Sequence, residues 1–296
     1  MSAYVFGISL TPSHDLSLVH DVTDVAERGG LDLVGVQDHP YVADFLDAPA
    51  LIGHLLTRTT RLRFFPDVAN LPLRPPALLA RTAATLNVLS GGRFELGIGA
   101  GGYWDAITAM GVPRRSSAEA LAALEEAITI MRELWSPGRS VRFHGDHYRV
   151  DGVHGAEAGT PPINVWIGAQ GPRSLALTGR VADGWAAPIP SYLPYERWAE
   201  SHHIIDRAAE DAGRDPGSVV RLAQVVGTIE ANGSGARLTT GADPLRAGAN
   251  GWAAELTRIA AEQPFTGFVF WPERQSVDQV RRFAEEVVPA VKANLA

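Results

Sequence analysis

The sequence predicts an α/β protein and, within that class, a (β/α)8 TIM barrel. Short β-rich runs alternate with longer helical segments along the whole chain, and each kind of segment occurs eight times in the 296 residues. The length suits a barrel, whose typical size is about 250 residues. An open, doubly wound sheet has the same alternation and is the alternative fold. Because no linker or low-complexity stretch interrupts the pattern, we expect one domain over residues 1–296.

Local signals set the bounds of each predicted element. The predicted strands are Val5–Leu10, Leu33–Gln37, Leu62–Val68, Phe94–Gly99, Asn164–Gly168, Gly184–Pro188, Val220–Ile229 and Gly267–Trp271. The predicted helices are Leu16–Arg28, Pro49–Thr59, Pro75–Leu89, Ala118–Trp135, Pro172–Val181, Pro194–Ala212, Trp252–Glu262 and Val277–Leu295. Prolines such as Pro75 stand where a missing N–H costs nothing, and glycines such as Gly91 follow helix ends. Between residues 136 and 162, the run RSVRFHGDHYRV alternates about a Gly-Asp pair, which predicts a hairpin inserted after the fourth helix.

Composition excludes several kinds of chemistry. With 46% hydrophobic and 20% charged residues, the chain is typical of a soluble folded protein and not of a disordered one. The absence of cysteine excludes disulfides, iron–sulfur clusters and thiolate zinc sites. The one lysine, Lys292, lies near the C-terminus, so the sequence offers neither an interior Schiff-base lysine nor a GxxxxGK phosphate loop. Demanding redox chemistry would therefore need a bound cofactor.

Charge and hydropathy indicate which partners to expect. The net charge is -7 and the arginines are scattered, which argues against a nucleic-acid partner. The N-terminal run MSAYVFGISL has no basic start and is expected to be a first strand, not a signal peptide. No apolar run reaches the roughly 18 residues that a membrane span needs. We therefore expect a cytoplasmic protein without a membrane partner.

The second predicted strand is followed by DHPY, which offers a candidate catalytic pair. The reacting groups of (β/α)8 barrels lie at the carboxyl ends of the strands, and Asp38 and His39 fall there. The carboxylate could fix the imidazole tautomer or contact a ligand directly, while the histidine exchanges a proton. The alternative is a simple turn, because Asp before an X-Pro step commonly bends the chain.

Two glycine-rich runs follow later strands. Gly97, Gly99 and Gly102 match the spacing GxGxxG, but three predicted strands precede them and no crossover helix follows directly, so a dinucleotide site is disfavoured. These glycines indicate a close approach to a flat ligand or a turn. After the fifth strand, IGAQGPRSL leads into a helix at Pro172, where free N–H groups could bind a phosphate. An ordinary strand-to-helix turn is the alternative there.

The remaining histidines give no strong site. His144 and His147 flank the predicted hairpin turn at a spacing that could hold a metal, although a solvated turn is favoured. The adjacent His202 and His203 are expected on the surface. We predict no metal site.

Three blocks of the sequence together resemble the bacterial luciferase-like family of flavin and deazaflavin (coenzyme F420) oxidoreductases. They are DHPY, LPLRPPALLARTAATLNVLSGGRFELGIGAGG and PPINVWIGAQGPRSLALTGRVADGW, and the likeness covers nearly the whole chain. The resemblance implies a monooxygenase or reductase that binds reduced coenzyme F420 or FMN at the barrel mouth and acts on a small organic substrate. The compact length and the arginine bias favour F420. The apolar content of the loops favours a mostly apolar substrate.

The resemblance also implies a homodimer and a set of site residues. The catalytic pair would be His39 and Asp38. The cofactor would contact Asp67, Val68, Asn70, Gly101, Asp105, Gly168, Ala169, Gly171 and Pro172. In the family, the segment matching Asp67 and Val68 often contains a non-proline cis peptide behind the ring. An acid at position 67 departs from the family pattern, in which small or neutral polar residues are usual. A carboxylate beside an anionic ring is unfavourable unless it is solvated or turned away. Two alternatives are a non-catalytic flavin-binding barrel and a cofactor-free hydrolase, and the hydrolase lacks an evident nucleophile.

Overall fold

Nine strand segments form a parallel barrel in the computed structural model, which describes residues 4–231 and 241–296. In chain order the strands are β1 (Val5–Leu10), β2 (Leu33–Val36), β3 (Arg63–Pro66), β4 (Ala69–Asn70), β5 (Leu96–Gly99), β6 (Ser140–His144), β7 (Arg149–His154), β8 (Val165–Ile167), β9 (Gly184–Ala186), β10 (Val220–Glu230), β11 (Leu245–Gly248) and β12 (Gly267–Pro272). The barrel order is β3-β2-β1-β12-β10-β9-β8-β5-β4, and β11 pairs with β10 outside this path. Neighbours in the barrel pair in parallel.

The barrel closes because β3 and β4 are two parts of one strand position. Only Asp67 and Val68 separate them, and a parallel bridge joins Phe64 in β3 to Phe94, just before β5. The nine segments therefore occupy eight strand positions, and a helix follows each position. This arrangement confirms the predicted (β/α)8 barrel, and the alternative of an open sheet is wrong.

Helices surround the barrel. They are α1 (Leu16–Arg28), α2 (Ala48–Arg58), α3 (Pro76–Ser90), α4 (Trp104–Ala109), α5 (Ser117–Leu134), α6 (Pro172–Val181), α7 (Trp198–Asp211), α8 (Ala249–Glu262), α9 (Val277–Arg282) and α10 (Val288–Leu295). The side chains of Asp15 and Asp47 accept from first-turn N–H groups of α1 and α2, and Ser116 forms a capping box with Glu119 at α5. Among the described residues, each helix is too short or too polar to cross a membrane.

Four elements differ from the predicted ones. The predicted third strand breaks at Asp67–Val68, where the peptide bond is cis. The short helix α4 and the strand β11 were not predicted, because four to six residues carry too little periodicity to be recognised. The predicted last helix is divided by one π-helical turn, Phe283–Val287, between α9 and α10.

The inserted hairpin is present as the antiparallel pair β6–β7. It connects α5 to β8 and therefore lies at the amino ends of the barrel strands. Glu126 on α5 accepts hydrogen bonds from the hairpin-turn N–H groups of Asp146 at 2.8 Å and Tyr148 at 2.9 Å. His144 pairs with Asp151 at 2.8 Å. Within residues 4–231 and 241–296, no group of three metal-binding side chains forms at this hairpin or elsewhere.

The apolar core has two parts. The larger part packs the outer faces of the strands against the helices. The smaller part, called here the interior cluster, lies inside the barrel and consists of Leu33, Phe65, Trp166, Leu222 and Val269. Its members come from five barrel strands and alternate with outward-facing neighbours, as the period of a strand requires. Bulky side chains thus fill one layer of the interior.

His202 on α7 is buried, so the prediction that His202 and His203 are both surface residues is wrong for His202. It is 3% exposed, and its ring packs against Trp185 and Phe265. Arg221 Nη1 donates to His202 Nδ1 at 3.2 Å, which requires a neutral ring. Burial, together with the charge of Arg221, lowers the pKa of His202 to about 3.

We predict that this histidine makes the protein less stable in acid. Its folded-state pKa lies below its unfolded value of about 6.5. Its contribution to stability is therefore complete above pH 6.5 and is lost as the pH falls below that value. At pH 5 the loss is about 2 kcal/mol of unfolding free energy. The glutamine side chain in His202→Gln can still accept a hydrogen bond from Arg221. Between pH 7.5 and pH 5, the unfolding free energy measured in urea should fall by about 2 kcal/mol less for this variant than for the wild type.

The exposed neighbour gives the matched control. His203→Gln should lose as much stability as the wild type over the same pH range, because this exposed position leaves the buried His202 ring and its contacts unchanged. An equal loss in His202→Gln and the wild type would contradict this prediction.

Candidate active site

The layer above the interior cluster lacks bulky side chains at most positions. Residues two places further along the same strands face the same interior, because side chains alternate along a strand. At four of the five strands these residues are Gly35, Asp67, Gly168 and Gln224. The fifth is the half-buried Trp271. This upper layer lies toward the carboxyl ends of the strands, where many barrels would hold another layer of branched side chains. Small and polar residues therefore replace a branched layer at the mouth of the barrel.

The Val68 side chain packs against several glycines of the barrel. A Cβ built on Gly97, Gly99 or Gly168 would lie 3.3, 2.9 or 3.0 Å from a Val68 methyl group. The glycines of β5 thus admit the Val68 side chain. Gly97 and Gly99 lie within β5, so they do not form a turn, and their close approach to a flat ligand stays a prediction. Val68 follows the expected non-proline cis peptide bond, which is present between Asp67 and Val68.

The Asp38 carboxylate accepts three hydrogen bonds. Asn70 N–H donates to Oδ2 at 2.9 Å, while Arg74 donates from Nε to Oδ2 at 2.9 Å and from Nη2 to Oδ1 at 2.6 Å. The Asp38 side chain is 1% exposed. The carboxylate therefore joins the end of β2 to β4 and to the segment that follows β4. Asp38 does not hold the His39 ring, so its predicted role in fixing the tautomer is wrong.

Arg74 extends this connection to α2. Its Nη2 also donates to Asp47 Oδ2 at 2.7 Å, and the other oxygen of Asp47 caps α2 through the N–H of Ala50. Although burial alone would lower it, the carboxylates of Asp38 and Asp47 raise the pKa of Arg74 above its ordinary value. The loops after β2 and β4 are thereby held together by one guanidinium group.

His39 stands at the mouth with Tyr41 as its hydrogen-bond partner. Its Nδ1 lies 2.8 Å from the Tyr41 hydroxyl oxygen. Burial, opposed by the charge of Asp38, lowers the pKa of His39, so the ring is neutral at pH 7. Burial also raises the pKa of Tyr41, which keeps its hydroxyl protonated. Because the hydrogen bond occupies Nδ1, proton exchange with a ligand falls to Nε2.

Aromatic side chains from three loops border the mouth, and we call them the mouth aromatics. They are Tyr41 and Phe45 after β2, Tyr103 after β5 and Tyr192 after β9. The ring centroids of Phe45 and Tyr103 lie 6.2 and 5.9 Å from that of His39. Tyr103 and Tyr192 form a hydroxyl-to-hydroxyl hydrogen bond and remain 49% and 47% exposed. The surroundings of His39 are thus flat and largely apolar.

Asp67 is turned into the barrel, away from solvent. Its Oδ1 accepts from Gln224 Nε2 at 2.8 Å, and the residue is 8% exposed. Burial, opposed by the Gln224 hydrogen bond, raises the pKa of Asp67 to about 7. The acid that departs from the family pattern is therefore about half neutral at pH 7.

The other residues predicted at the cofactor lie in different settings. Asn70 is buried and its Oδ1 has no hydrogen-bond partner in the described part of the chain. Gly101 adopts a φ of 95°, and a Cβ there would meet Pro72 at 2.8 Å. Asp105 lies on α4 with its side chain 99% exposed and pairs with Arg114. Its contact with a cofactor stays a prediction, as do those of Asn70 and Gly101.

The predicted phosphate cradle begins α6 as expected, with Pro172 as the first residue of the helix. Gly168 N–H donates into β5 at 3.0 Å, and the carbonyl of Ala169 accepts from an indole of β9 at 2.9 Å. Gly171 N–H donates to Ser174 Oγ at 3.2 Å. This amide already has a partner, so a phosphate would have to bind the later amides of the first turn or displace the serine hydroxyl.

Sequence reasoning assigned no role to three residues of this site. Arg74 and Tyr41 lie inside the quoted family blocks, but nothing in their spacing shows which acid or imidazole they contact. Gln224 stands 157 positions from Asp67, and its one signal was a polar side chain at an inward position of a buried strand.

The fold and the site define a (β/α)8-barrel protein with a histidine, a largely buried ion pair and an interior layer of small and polar residues at the carboxyl ends of its strands. A family model described as luciferase-like monooxygenase matches residues 3–285. The chain belongs to this family, as the resemblance predicted.

Several known proteins are similar to parts or all of the chain. An F420-dependent glucose-6-phosphate dehydrogenase of Nakamurella multipartita is 33% identical over 171 residues, which are 56% of this chain and 50% of that protein. A 5,10-methylenetetrahydromethanopterin reductase of Archaeoglobus fulgidus is 32% identical over 182 residues, or 60% of this chain and 51% of that protein. The chain thus spans about half the length of the curated relatives it matches.

The similarity to solved structures extends over the whole fold. An F420-dependent secondary alcohol dehydrogenase in complex with an F420-acetone adduct superposes with a TM-score of 0.82 at 20% identity, covering 98% of this chain and 99% of that one. An F420-dependent tetrahydromethanopterin reductase from Methanopyrus kandleri gives 0.80 at 18% identity, covering 97% and 99%. At these identities the likeness supports the fold.

We predict that the Asp38–Arg74 pair stabilises the barrel mouth. Arg74→Met leaves the Asp38 charge buried without its cation, which should lower the unfolding free energy by about 3 kcal/mol in urea titrations. Arg58→Met is the matched control, because Arg58 and Asp24 form a half-exposed pair at 3.5 Å. The control should lose less than about 1 kcal/mol. Equal losses in the two variants would show that Asp38 is not held in this way.

Proposed function

We propose that the chain is an oxidoreductase that binds reduced coenzyme F420 at the barrel mouth. There it would transfer a hydride between the coenzyme and a small, mostly apolar organic molecule. FMN is the alternative cofactor, and monooxygenation is the alternative reaction. The observation that carries the proposal is the neutral His39, which lies among the mouth aromatics at the carboxyl ends of the strands. The F420-dependent relatives support the choice of coenzyme.

The residues at the mouth fit a flat ring with polar edges. Glycines and Val68 form the layer above the interior cluster, and Asn70 Oδ1 is a buried acceptor that lacks a partner among the described residues. A buried polar atom of this kind calls for a hydrogen-bond donor from a ligand or water. Because the raised pKa leaves about half of the Asp67 carboxyl groups neutral at pH 7, the repulsion between Asp67 and an anionic ring is reduced.

We assign the ring region to Val68 and Asn70 and the phosphate end to the α6 N-terminus at Pro172. Gly101 and Asp105 would border the chain between them. Bound there, a deazaflavin would supply the hydride that none of the chain's own side chains can carry.

His39 supplies the proton chemistry in this proposal. The Tyr41 hydroxyl can donate to Nδ1 or accept from it, so Nε2 can either take up a proton or release one. A neutral imidazole at pH 7 suits both directions of hydride transfer, since oxidation of an alcohol needs a base and reduction of a carbonyl needs an acid. Asp38 would be a positioning residue, because the hydrogen bonds of its carboxylate fix the backbone just before His39.

The mouth aromatics favour an apolar substrate over a sugar phosphate. Phosphate recognition in proteins relies on arginine, lysine or helix N-termini. Arg74, the arginine paired with Asp38, is already bound by two carboxylates. The side chains that surround His39 are aromatic rings, which suit an aliphatic or aromatic body.

Direct binding tests the proposal. Purified protein titrated with coenzyme F420 and with FMN, each followed by its absorbance, should bind F420 below 100 μM, which corresponds to a free energy of about -5.5 kcal/mol. His39→Ala should still bind, while its turnover with any substrate found should fall about 100- to 10,000-fold because proton transfer is lost. If neither coenzyme binds below 100 μM, the proposal fails. If His39→Ala and the wild type are equally inactive with every substrate, the non-catalytic flavin-binding alternative is favoured.

We also propose that the chain forms a homodimer through α3. This helix exposes Leu78 at 64% and Leu89 at 78%, and the two residues are eleven positions apart, on the same face of the helix. Exposed leucines on one face are typical of an interaction surface. A second copy of the chain is the partner that the family resemblance implies.

Sedimentation equilibrium tests the dimer. The wild type should sediment at twice 31.7 kDa, and Leu89→Glu should sediment as the monomer, because a buried charge opposes the contact. Val153→Glu on β7 is the control, since Val153 is a 41% exposed apolar residue away from α3. A monomeric wild type, or a dimer that Leu89→Glu leaves intact, would contradict the proposed interface.

A further inference from the structure

Two histidines meet on the outer surface of the barrel, apart from the site at its mouth. His20 lies on α1 and His54 on α2, and their Nε2 atoms are 2.8 Å apart. The ring centroids are 5.1 Å apart, and the ring planes are inclined by 36°. His54 is exposed and His20 is half-buried. Sequence spacing does not reveal this pair, because 34 positions separate its members.

Each imidazole presents a metal-binding nitrogen to the other. At this distance the two Nε2 atoms share one hydrogen bond, so one ring donates and the other accepts. Partial burial and then the charge of Arg58 lower the pKa of His20. The carboxylates of Asp24 and Asp21 oppose this change but do not reverse it. The His20 ring is therefore mostly neutral at pH 7, which is the state that binds a metal ion.

The separation of the two nitrogens suits a shared metal ion. Zinc binds imidazole nitrogen at about 2.0–2.1 Å with tetrahedral geometry, which places two such nitrogens about 3.3 Å apart. The 2.8 Å separation of the His20 and His54 nitrogens would widen by about 0.5 Å to admit the ion. Small rotations of the two side chains supply this change, since both lie at the protein surface and not in the packed core.

The charges around the pair favour a cation. Asp21 directly follows His20, and Asp24 lies about one turn further along α1. Arg58, one turn after His54 on α2, pairs with Asp24 at 3.5 Å. Two carboxylates and one guanidinium thus surround the neutral imidazoles, so the local charge is negative. Because the contact between Asp24 and Arg58 is long and partly exposed, Asp24 can turn toward a bound ion at little cost.

We propose that His20 and His54 form a binding site for Zn²⁺ or a related divalent transition-metal ion that prefers imidazole ligands. No third histidine or acid completes a metal-binding group with them among residues 4–231 and 241–296, so water would fill the remaining positions. A bound ion would connect α1 to α2 on the outside of the barrel. This site replaces the sequence-based prediction of no metal site. The pair lies outside the barrel mouth, so its metal binding does not depend on the proposed function.

Calorimetric titration of the metal-free protein with ZnCl₂ tests the site. The wild type should bind one Zn²⁺ with a Kd below about 100 μM, which corresponds to a free energy of about -5.5 kcal/mol. His54→Gln and His20→Gln should each weaken this binding at least about tenfold, because a glutamine amide is a poor zinc ligand. Mg²⁺ should neither bind there nor displace Zn²⁺, since it prefers oxygen ligands.

Two further variants make the test specific. His144→Gln is the matched control, because His144 is an exposed histidine on β6 that pairs with Asp151 instead of a second histidine. It should leave Zn²⁺ binding unchanged. Arg58→Met should tighten Zn²⁺ binding about threefold, because it removes a positive charge beside the site and frees Asp24.

Thermal unfolding gives a second readout, because an ion that binds only the folded chain stabilises it. Zn²⁺ at about ten times its Kd should raise the Tm of the wild type by about 3 °C and that of His54→Gln by less than about 1 °C. A wild type that binds no Zn²⁺ below about 100 μM would overturn the inference. So would wild-type binding in His54→Gln, or loss of binding in His144→Gln.

Discussion

The site depends on how the barrel fills its own interior. A parallel barrel of this size closes around side chains, and layers of bulky residues normally occupy the whole interior. Here bulky side chains, including Phe65 and Trp166, fill one layer of the interior. The next layer toward the mouth holds glycines and two polar residues. Bulky apolar packing is thus concentrated in the lower interior and between the strands and the helices, while small and polar residues form the upper interior.

A buried carboxylate organises the rim of that space. Asp38 binds the backbone of Asn70 and the guanidinium of Arg74, so the loops after two neighbouring strands cannot move independently. His39 directly follows this fixed point, and its ring orientation is then set by Tyr41. The roles of Asp38 and His39 therefore differ from those in a dyad, in which the acid hydrogen-bonds to the imidazole. The acid fixes the backbone, and a phenol fixes the ring.

Periodicity and punctuation predicted the barrel, the inserted hairpin and most element bounds, because these are properties of adjacent residues. Periodicity did not predict the division of the third strand at Asp67–Val68 or the short helix α4, since each feature is too short to carry a pattern. The cis peptide bond at Asp67–Val68 was expected from the family resemblance alone. The positions of Asp38, His39 and Val68 at the mouth followed from where strands end. Their partners did not, because Arg74 and Gln224 reach them through the closure of the barrel. The burial of His202 was also not predicted, because the sequence of a helix of mixed composition does not reveal which of its faces packs against the barrel.

The central claim is that the barrel mouth, beside Val68 and His39, holds the cofactor ring. A crystal structure of the protein with coenzyme F420 tests this most directly. We predict electron density for the ring at the mouth, in contact with Val68 and within hydrogen-bond reach of His39 through the ring or its substrate. A cavity of about 350 Å³ lies at the opposite end of the barrel, lined by residues that include Trp135 and Asp183. Density for the coenzyme in that cavity, or on the outer surface, would contradict the claim.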